Sequence, residues 1–294
     1  MSDFLKNSES LVKKASYLKI LARELADNLK TGNFRSLFRG QGIEFEGVRD
    51  YIRGDDIRTI DWNVTARMGH AFVKIFKEER ELQVLLILDH SASMMIKNEQ
   101  KSKFEVAQEA SALVTIACEL NSCSIGAIFF DREITFCTKP LFNKNQTMLI
   151  LNKLSKSNES FVKGSVLDSA LVNACRILKK RSLVFVFSDF RSEGWQKAMI
   201  ALAQKNDVLA FRLCDSVDYD FPELGSVAFQ DAESSAKMVL PTSSKKFKKE
   251  WQNYNQQRLQ NWKEFCLKHG VVPVVMNTKD EPLEVLNNAL KKGK

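Results

Sequence analysis

The chain has 294 residues, 44% of them hydrophobic and 27% charged, with a formal net charge of +8. This balance is that of a soluble globular protein, and no apolar run approaches the roughly 18 to 20 residues that cross a bilayer, so no membrane span is expected. The positive charge permits an acidic partner, nucleic acid included, without requiring one. The start, Met1 to Lys6, lacks the basic-then-apolar layout of a signal peptide. The cysteines at 118, 123, 137, 175, 214 and 266 contain no Cys-x-x-Cys pair, so reduced thiols and a cytoplasmic location are expected. His70, His90 and His269 form no zinc pattern, although His90 lies inside the loop discussed below.

Leu11, Ala15, Leu18, Ala22, Leu25 and Leu29 alternate steps of four and three. That spacing predicts an amphipathic helix over residues 8–31, packed within the chain rather than in a coiled-coil dimer. From Arg39 to Arg67 the sequence is polar, glycine-punctuated and expected to be irregular; Ala71 to Phe76 then alternates like a strand. Residues 1–82 are expected to form a separate N-terminal region. Within it, Arg53, Asp55, Asp56, Arg58, Asp61 and Trp62 could be a docking surface or an internal lock. Charges of both signs around one Trp favour the lock, in which hydrogen-bonded ion pairs fix a loop against the core.

From Gln83 onward, apolar runs alternate with helical patterns, the signature of an α/β fold with a mainly parallel sheet and helices on both faces. Val84 to Leu88 is a continuous aliphatic run that stops at Asp89, with Ser91 and Ser93 following at alternate positions. Such sheets bind ligands beyond the carboxyl ends of their strands. Carboxylate and hydroxyl oxygens are hard donors suited to Mg²⁺ or Mn²⁺, and this spacing lets one loop aim three side chains at one point. The competing reading is an Asx-turn or a helix cap. A helix is expected near Phe104 to Leu120, then a hairpin turning at Asp131-Arg132, then helices near Lys144 to Leu154 and Val166 to Lys180. The second of these opens at Gly164-Ser165, which places another hydroxyl on a loop, and the next apolar run, Leu183 to Ser188, ends in Asp189. Asp89, Ser91, Ser93, Ser165 and Asp189 thus make up an all-oxygen set of metal-ligand candidates. No catalytic residue is assigned.

A helix from Trp195 to Lys205 and a strand from Asp207 to Leu213 continue the alternation, which a β-hairpin insertion at 221–243 interrupts. Lys245, Lys246, Lys248 and Lys249 beside Trp251 and Tyr254 could bind phosphates and bases. Trp251, Tyr254, Arg258, Trp262 and Phe265, however, step by three or four, which predicts a packed helix stripe and makes nucleic acid a disfavoured partner. A strand from Val271 to Met276 and a helix from Pro282 to Leu290 close the fold.

Asp89-x-Ser91-x-Ser93, a hydroxyl at Ser165 and a carboxylate at Asp189 resemble the von Willebrand factor A fold with its metal-ion-dependent adhesion site. A Thr in that site stands where this chain has Ser165, which keeps the hydroxyl and loses the methyl. The run from Glu46 through Arg49-Asp50-Tyr51 and Arg53-Gly54-Asp55-Asp56-Ile57-Arg58 to Asp61-Trp62, then Thr65-Ala66-Arg67, leads through Val73-Lys74 and Glu79-Arg80 into the Asp89 strand. This block resembles the bacterial family known as domain of unknown function fifty-eight. The two resemblances imply a von Willebrand factor A-like, doubly wound domain over residues 83–294. They also imply a protein-interaction module that binds Mg²⁺ or Mn²⁺, accepts an acidic residue of its partner, and acts with a MoxR-type AAA+ ATPase in the maturation or activation of target proteins. The alternatives are a metal-dependent phosphohydrolase, which would carry a second Asp where this chain has Ser91, and a basic nucleic-acid-binding protein.

Overall fold

The computed structural model describes residues 22–29, 42–79, 82–97, 100–155, 166–220, 226–230 and 237–292. The chain divides into a larger unit, which takes in residues 22–29 and those from Gln83 onward, and a smaller unit within Ser36–Leu82. Helix α1 (residues 22–29) buries Ala22, Leu25, Ala26 and Leu29, the described part of the expected stripe; Leu11, Ala15 and Leu18 lie outside the described residues. This helix belongs to the larger unit rather than to a separate 1–82 region. It is tied there by Asn28, which donates to Asn287 at 2.8 Å, and by Asn121, which donates to the Ala26 carbonyl at 2.7 Å.

In the smaller unit, β1 (Gly42–Asp50) runs antiparallel to β2 (Phe72–Glu79), with α2 (Trp62–Met68) between them in sequence. Strand β1 lies where the sequence predicts irregular chain. A bulge between Phe45 and Gly47 breaks the two-residue alternation that would have marked it. The acidic residues of the Arg/Asp/Trp block act locally. Asp56 caps the 3-10 turn at Ile57–Thr59 by accepting from the Arg58 amide, and Asp61 caps α2 by accepting from the amides of Asn63 and Val64. Asp55 accepts from both Arg49 guanidinium nitrogens at 2.7 and 2.8 Å and from the Ile52 amide, which together hold its carboxyl down at about 2. Trp62 is 67% exposed, and Arg53 and Arg58 are exposed as well. The carboxylates therefore fasten the loop to itself and to β1, and the ring around which a lock was expected faces outward.

The larger unit is a six-stranded sheet between helical layers. In chain order it contains β3 (Gln83–Asp89), α3 (Ala92–Met95), α4 (Lys103–Leu120), β4 (Ser124–Phe130), β5 (Ile134–Leu141), α5 (Lys144–Ser155) and α6 (Leu167–Ile177). Then follow β6 (Leu183–Ser188), α7 (Gln196–Ala203), β7 (Asp207–Cys214), α8 (Ser216–Tyr219), the hairpin β8 (Ser226–Gln230) and β9 (Lys237–Pro241), α9 (Lys245–Lys268), β10 (Val272–Asn277) and α10 (Pro282–Lys292). The sheet order is β10-β7-β6-β3-β4-β5, parallel throughout except for β5. This is the strand and helix alternation expected from Gln83, including the hairpin insertion.

Alternation along each strand assigns the two faces. Leu85, Ile87, Val184, Val186, Val208 and Ala210 bury one face against Leu171 of α6, Met199 of α7 and Trp262 of α9. Phe187 and Phe211, with ring centroids 4.7 Å apart, belong to the opposite face, where α4 packs on β3, β4 and β7. Each fully buried side chain of this size contributes about 1.5–3 kcal/mol, which makes the central strands the stable frame for the loops at their ends. Among the described residues no helix is long and apolar enough to cross a membrane.

The outer strands each carry a proline, Pro140 in β5 and Pro273 in β10. Close to Pro140 the sheet has no room for a side chain at Gly126, where a Cβ would lie 2.6 Å from both the Pro140 nitrogen and the Thr138 carbonyl oxygen. Gln146 of α5 reinforces this crossing by donating to the carbonyls of Ile125 and Lys139. Gly126→Ala must push β5 away from β4, and we expect a loss of about 1–3 kcal/mol, read as a lower Tm in a thermal melt. An unchanged Tm would show that the β4–β5 crossing can open without loss.

Candidate functional site

The site begins where the sheet changes direction. From β3 the chain moves outward to β4 on one side, and from β6 to β7 on the other, so the carboxyl ends of neighbouring β3 and β6 meet at the switch point where sheets of this kind form a ligand crevice. Asp89 ends β3 and Asp189 follows β6, and both are about 4% exposed or less. Asp89 accepts from the Ser188 hydroxyl at 2.6 Å and from the Ser91 amide at 2.9 Å, the second bond being an Asx-turn. Ser91 precedes α3 but its hydroxyl makes no capping bond; it lies 3.2 Å from the Ser93 hydroxyl, and both serines are buried. The loop thus contains the Asx-turn of the competing reading, yet spends neither serine hydroxyl on capping the Ser91 end of α3.

After β6 the chain folds back sharply. Phe190 adopts φ +52, in the left-handed region that a bulky residue rarely occupies, and its amide donates to the Ser188 hydroxyl at 3.1 Å. This turn lets Asp189 accept from the Arg191 amide at 3.2 Å while the Phe190 ring packs 5.2 Å from that of Trp195. Ser165 lies outside the described residues; its neighbour Val166 is held by a 3.0 Å bond from its amide to the Asp131 carbonyl, beside the end of β4. The structure therefore brings together Asp89, Ser91, Ser93 and Asp189 of the expected ligands.

It adds groups that the motif spacing did not name. Lys103, at the first position of α4 after the Ser102 cap, is 2% exposed and sets its ammonium 3.4 Å from Asp189 and 3.9 Å from Asp218. Arg191 donates to Asp218 at 2.6 Å and lies 3.5 Å from Asp189. A lysine on the buried stripe formed with Val106, Ala107 and Ala110 was the available signal, since a charge on an apolar helix face needs a partner. Asp218 was signalled only by a third strand end, Cys214-Asp215, that carries acidic residues. His90 is a packing residue: its ring centroid lies 4.5 Å from that of Phe104 and 5.2 Å from that of Phe129.

A family model described as protein of unknown function DUF58 matches residues 47–261. The chain belongs to that family. An uncharacterised protein of Mycobacterium tuberculosis, Rv1480, is 30% identical over 220 residues, covering 74% of this chain and 69% of the relative. Among solved structures, the conserved hypothetical protein BatB from Bacteroides thetaiotaomicron aligns at 17% identity and a TM-score of 0.47, over 72% of this chain and 98% of that one. A von Willebrand factor type A protein from Catenulispora acidiphila aligns at 10% identity and a TM-score of 0.44, over 76% and 44%.

The electrostatics of this DUF58 site are uneven. Burial pushes Asp189 up, but the charges of Lys103 and Arg191 outweigh it and leave its carboxyl below the ordinary range. Asp89 is pushed up to about 7, first by burial and then by the charge of Asp189, against the pull of the Ser188 and Ser91 donors. Among the described residues no three His, Cys, Asp or Glu side chains converge, so a metal would have to draw on hydroxyls as well as on the two carboxylates. That donor chemistry, all hard oxygen, fits Mg²⁺ or Mn²⁺ and not a thiolate or imidazole metal.

Because Asp89 holds its proton at pH values where the unfolded chain, with a carboxyl near 3.9, has lost it, its contribution is present in acid and is lost as pH rises toward 7. His90 has the opposite slope: burial pushes it down to about 4, so its contribution is lost as pH falls from about 6.5 toward that value. Comparing variants at one pH cancels the His90 effect. We expect Asp89→Asn, freed of metal by a chelator, to melt above the wild type at pH 8, by about 2–4 °C for each kcal/mol gained. The gap should narrow as pH falls toward 4. A wild type that melts higher at pH 8 would contradict the raised Asp89 carboxyl.

Proposed function

We propose that the chain is a protein-interaction module whose docking point is a divalent cation, Mg²⁺ or Mn²⁺, held by Asp89, Ser91, Ser93 and Asp189, with Ser165 as a further hydroxyl ligand. One observation carries this reading: two buried carboxylates, Asp89 and Asp189, end adjacent strands, where burial and then the charge of Asp189 push the Asp89 carboxyl up. A cation held by Asp89, Ser91, Ser93 and Asp189 would relieve that repulsion and displace any proton on Asp89. When bound it supplies a coordination position open to an outside carboxylate, since Mg²⁺ dehydrates reluctantly and takes few protein ligands.

The chain's own groups prepare the place. Ser188 and the Ser91 amide orient Asp89, while Lys103 and Arg191 already neutralise Asp189. The cation therefore draws chiefly on Asp89 and the two loop hydroxyls. The partner we propose is a MoxR-type AAA+ ATPase or its client, in the cytoplasm, offering an Asp or Glu; this follows the association that the family resemblance implies. No catalytic role is assigned to any residue.

Calorimetric titration of Mn²⁺ into the chelator-treated protein should give saturable binding that Asp89→Ala abolishes, and a MoxR-type ATPase should be retained by the wild type in Mg²⁺ but not by a folded Asp89→Ala variant. Equal retention by both would remove the cation from the interaction. Lys103→Met tests the share taken by Asp189. With one cation fewer beside Asp189 and Asp218 the protein should melt lower, and Mn²⁺ should bind about tenfold tighter, or ~1.4 kcal/mol. Weaker Mn²⁺ binding by that variant would separate Lys103 from the site.

A further inference from the structure

Beyond Asp189, on the face of the sheet covered by α7 and α9, lies a cavity of about 400 Å³. Its walls include Arg191, Ser192, Arg212, Tyr254, Arg258 and Trp262. Arg212 stands on β7, opposite Ser188 in the parallel register, where the preceding residues of that face, Val208 and Ala210, are apolar. It is 6% exposed, and among the described residues its guanidinium donates one 3.2 Å bond, to the Arg258 carbonyl. Its guanidinium carbon sits 5.8 Å from the Trp262 ring centroid, and that of Arg258 sits 5.6 Å from the Tyr254 ring centroid. Arg191 spends its charge on Asp189 and Asp218, and among the described residues neither Arg212 nor Arg258 joins an ion pair. The carboxylate in the wall, Glu193, is exposed.

Two of the wall residues also carry buried donors with nothing to donate to among the described residues: the Ser192 hydroxyl and the Trp262 indole nitrogen. A buried donor left unmade costs about 1–3 kcal/mol, and a buried guanidinium with a carbonyl acceptor but no carboxylate partner among the described residues costs more. A core that collects these groups on one wall and lines the rest with rings has the composition of a ligand pocket rather than of packing. Its volume lies at the small end of such sites. Burial, and after it the charges of Arg212 and Arg191, pull the Arg258 guanidinium below its ordinary range against the opposing pull of Tyr254 and Asp189.

We propose that this cavity is a binding site for a small organic anion, an oxyanion group, carboxylate or phosphate, carried on a flat unsaturated ring. Arg212 and Arg258 take the anion, and the ring stacks among the Trp262, Tyr254 and Phe265 side chains. Arg212 needs no help from the cation site to do this, so the pocket stands independently of the function proposed above.

Trp262 and Trp195 both line the cavity and report on it by fluorescence. The full chain is titrated with phenyl phosphate, phenylacetate, inorganic phosphate and, as the neutral control, benzyl alcohol. Saturable binding is expected for phenyl phosphate, phenylacetate or both, tighter than for inorganic phosphate, with no response to benzyl alcohol; the stronger of the two identifies the oxyanion. Arg212→Met and Arg258→Met should each weaken that binding about tenfold or more, while Asp89→Ala leaves it unchanged even if it abolishes Mn²⁺ binding. Arg258 is half-exposed on a helix surface, so its variant serves if Arg212→Met fails to fold. No saturable response to either aromatic anion, an equal response to benzyl alcohol, or undiminished affinity in folded Arg212→Met or Arg258→Met overturns the proposal.

Discussion

Everything at the crevice depends on forcing two carboxylates to the ends of adjacent parallel strands in a place that water barely reaches. The sheet does this by topology, because β3 and β6 are hydrogen-bonded neighbours whose chains depart in opposite directions. Burial first, and then the charge of Asp189, push the Asp89 carboxyl up, so the two groups do not both ionise freely. The apolar strands below, buried along their whole length, hold the loops against relaxing away from it.

The surrounding charges resolve the conflict from one side. Lys103, Arg191 and Asp218 form a network around Asp189, while the groups described at Asp89 are hydroxyl and amide donors. The asymmetry follows from the helices. The capping box of Ser102 and Glu105 starts α4 where its first residue reaches Asp189, and Asp215 caps α8 so that Asp218 stands in line behind. One loop then serves two surroundings, for Phe190 in its left-handed conformation separates a carboxylate turned toward the crevice from rings turned into the core.

Much of the fold was legible because the buried parallel strands are continuous apolar runs and the helices keep a regular stripe; Leu183 to Ser188 and Leu167 to Ala174 are examples. The first strand of the smaller unit was not, since its bulge at Phe45 and Gly47 destroys the two-residue period by which strands are recognised. The placing of α1 with the larger unit was equally hidden, because an amphipathic stripe tells that a face is covered but not by what. At the site, the Asp89, Ser91 and Ser93 spacing was readable as a local motif. Lys103 and Asp218 meet Asp189 only through tertiary structure, and each lies far from it in sequence. The stripe on α9 was half right: Trp262 is buried, but Tyr254 is 56% exposed while its neighbour Asn255 is buried.

The prolines at the two rims of the sheet bear on how any partner must approach. A strand at an open rim normally presents a row of amide donors and carbonyl acceptors, on which another chain can lay itself as one more strand. Pro140 and Pro273 each delete a donor from that row. A proline in each outer strand of the six makes recognition by strand addition less favourable there. What remains for another molecule to read is the top of the sheet and the helical faces, where side chains, not backbone, decide who binds.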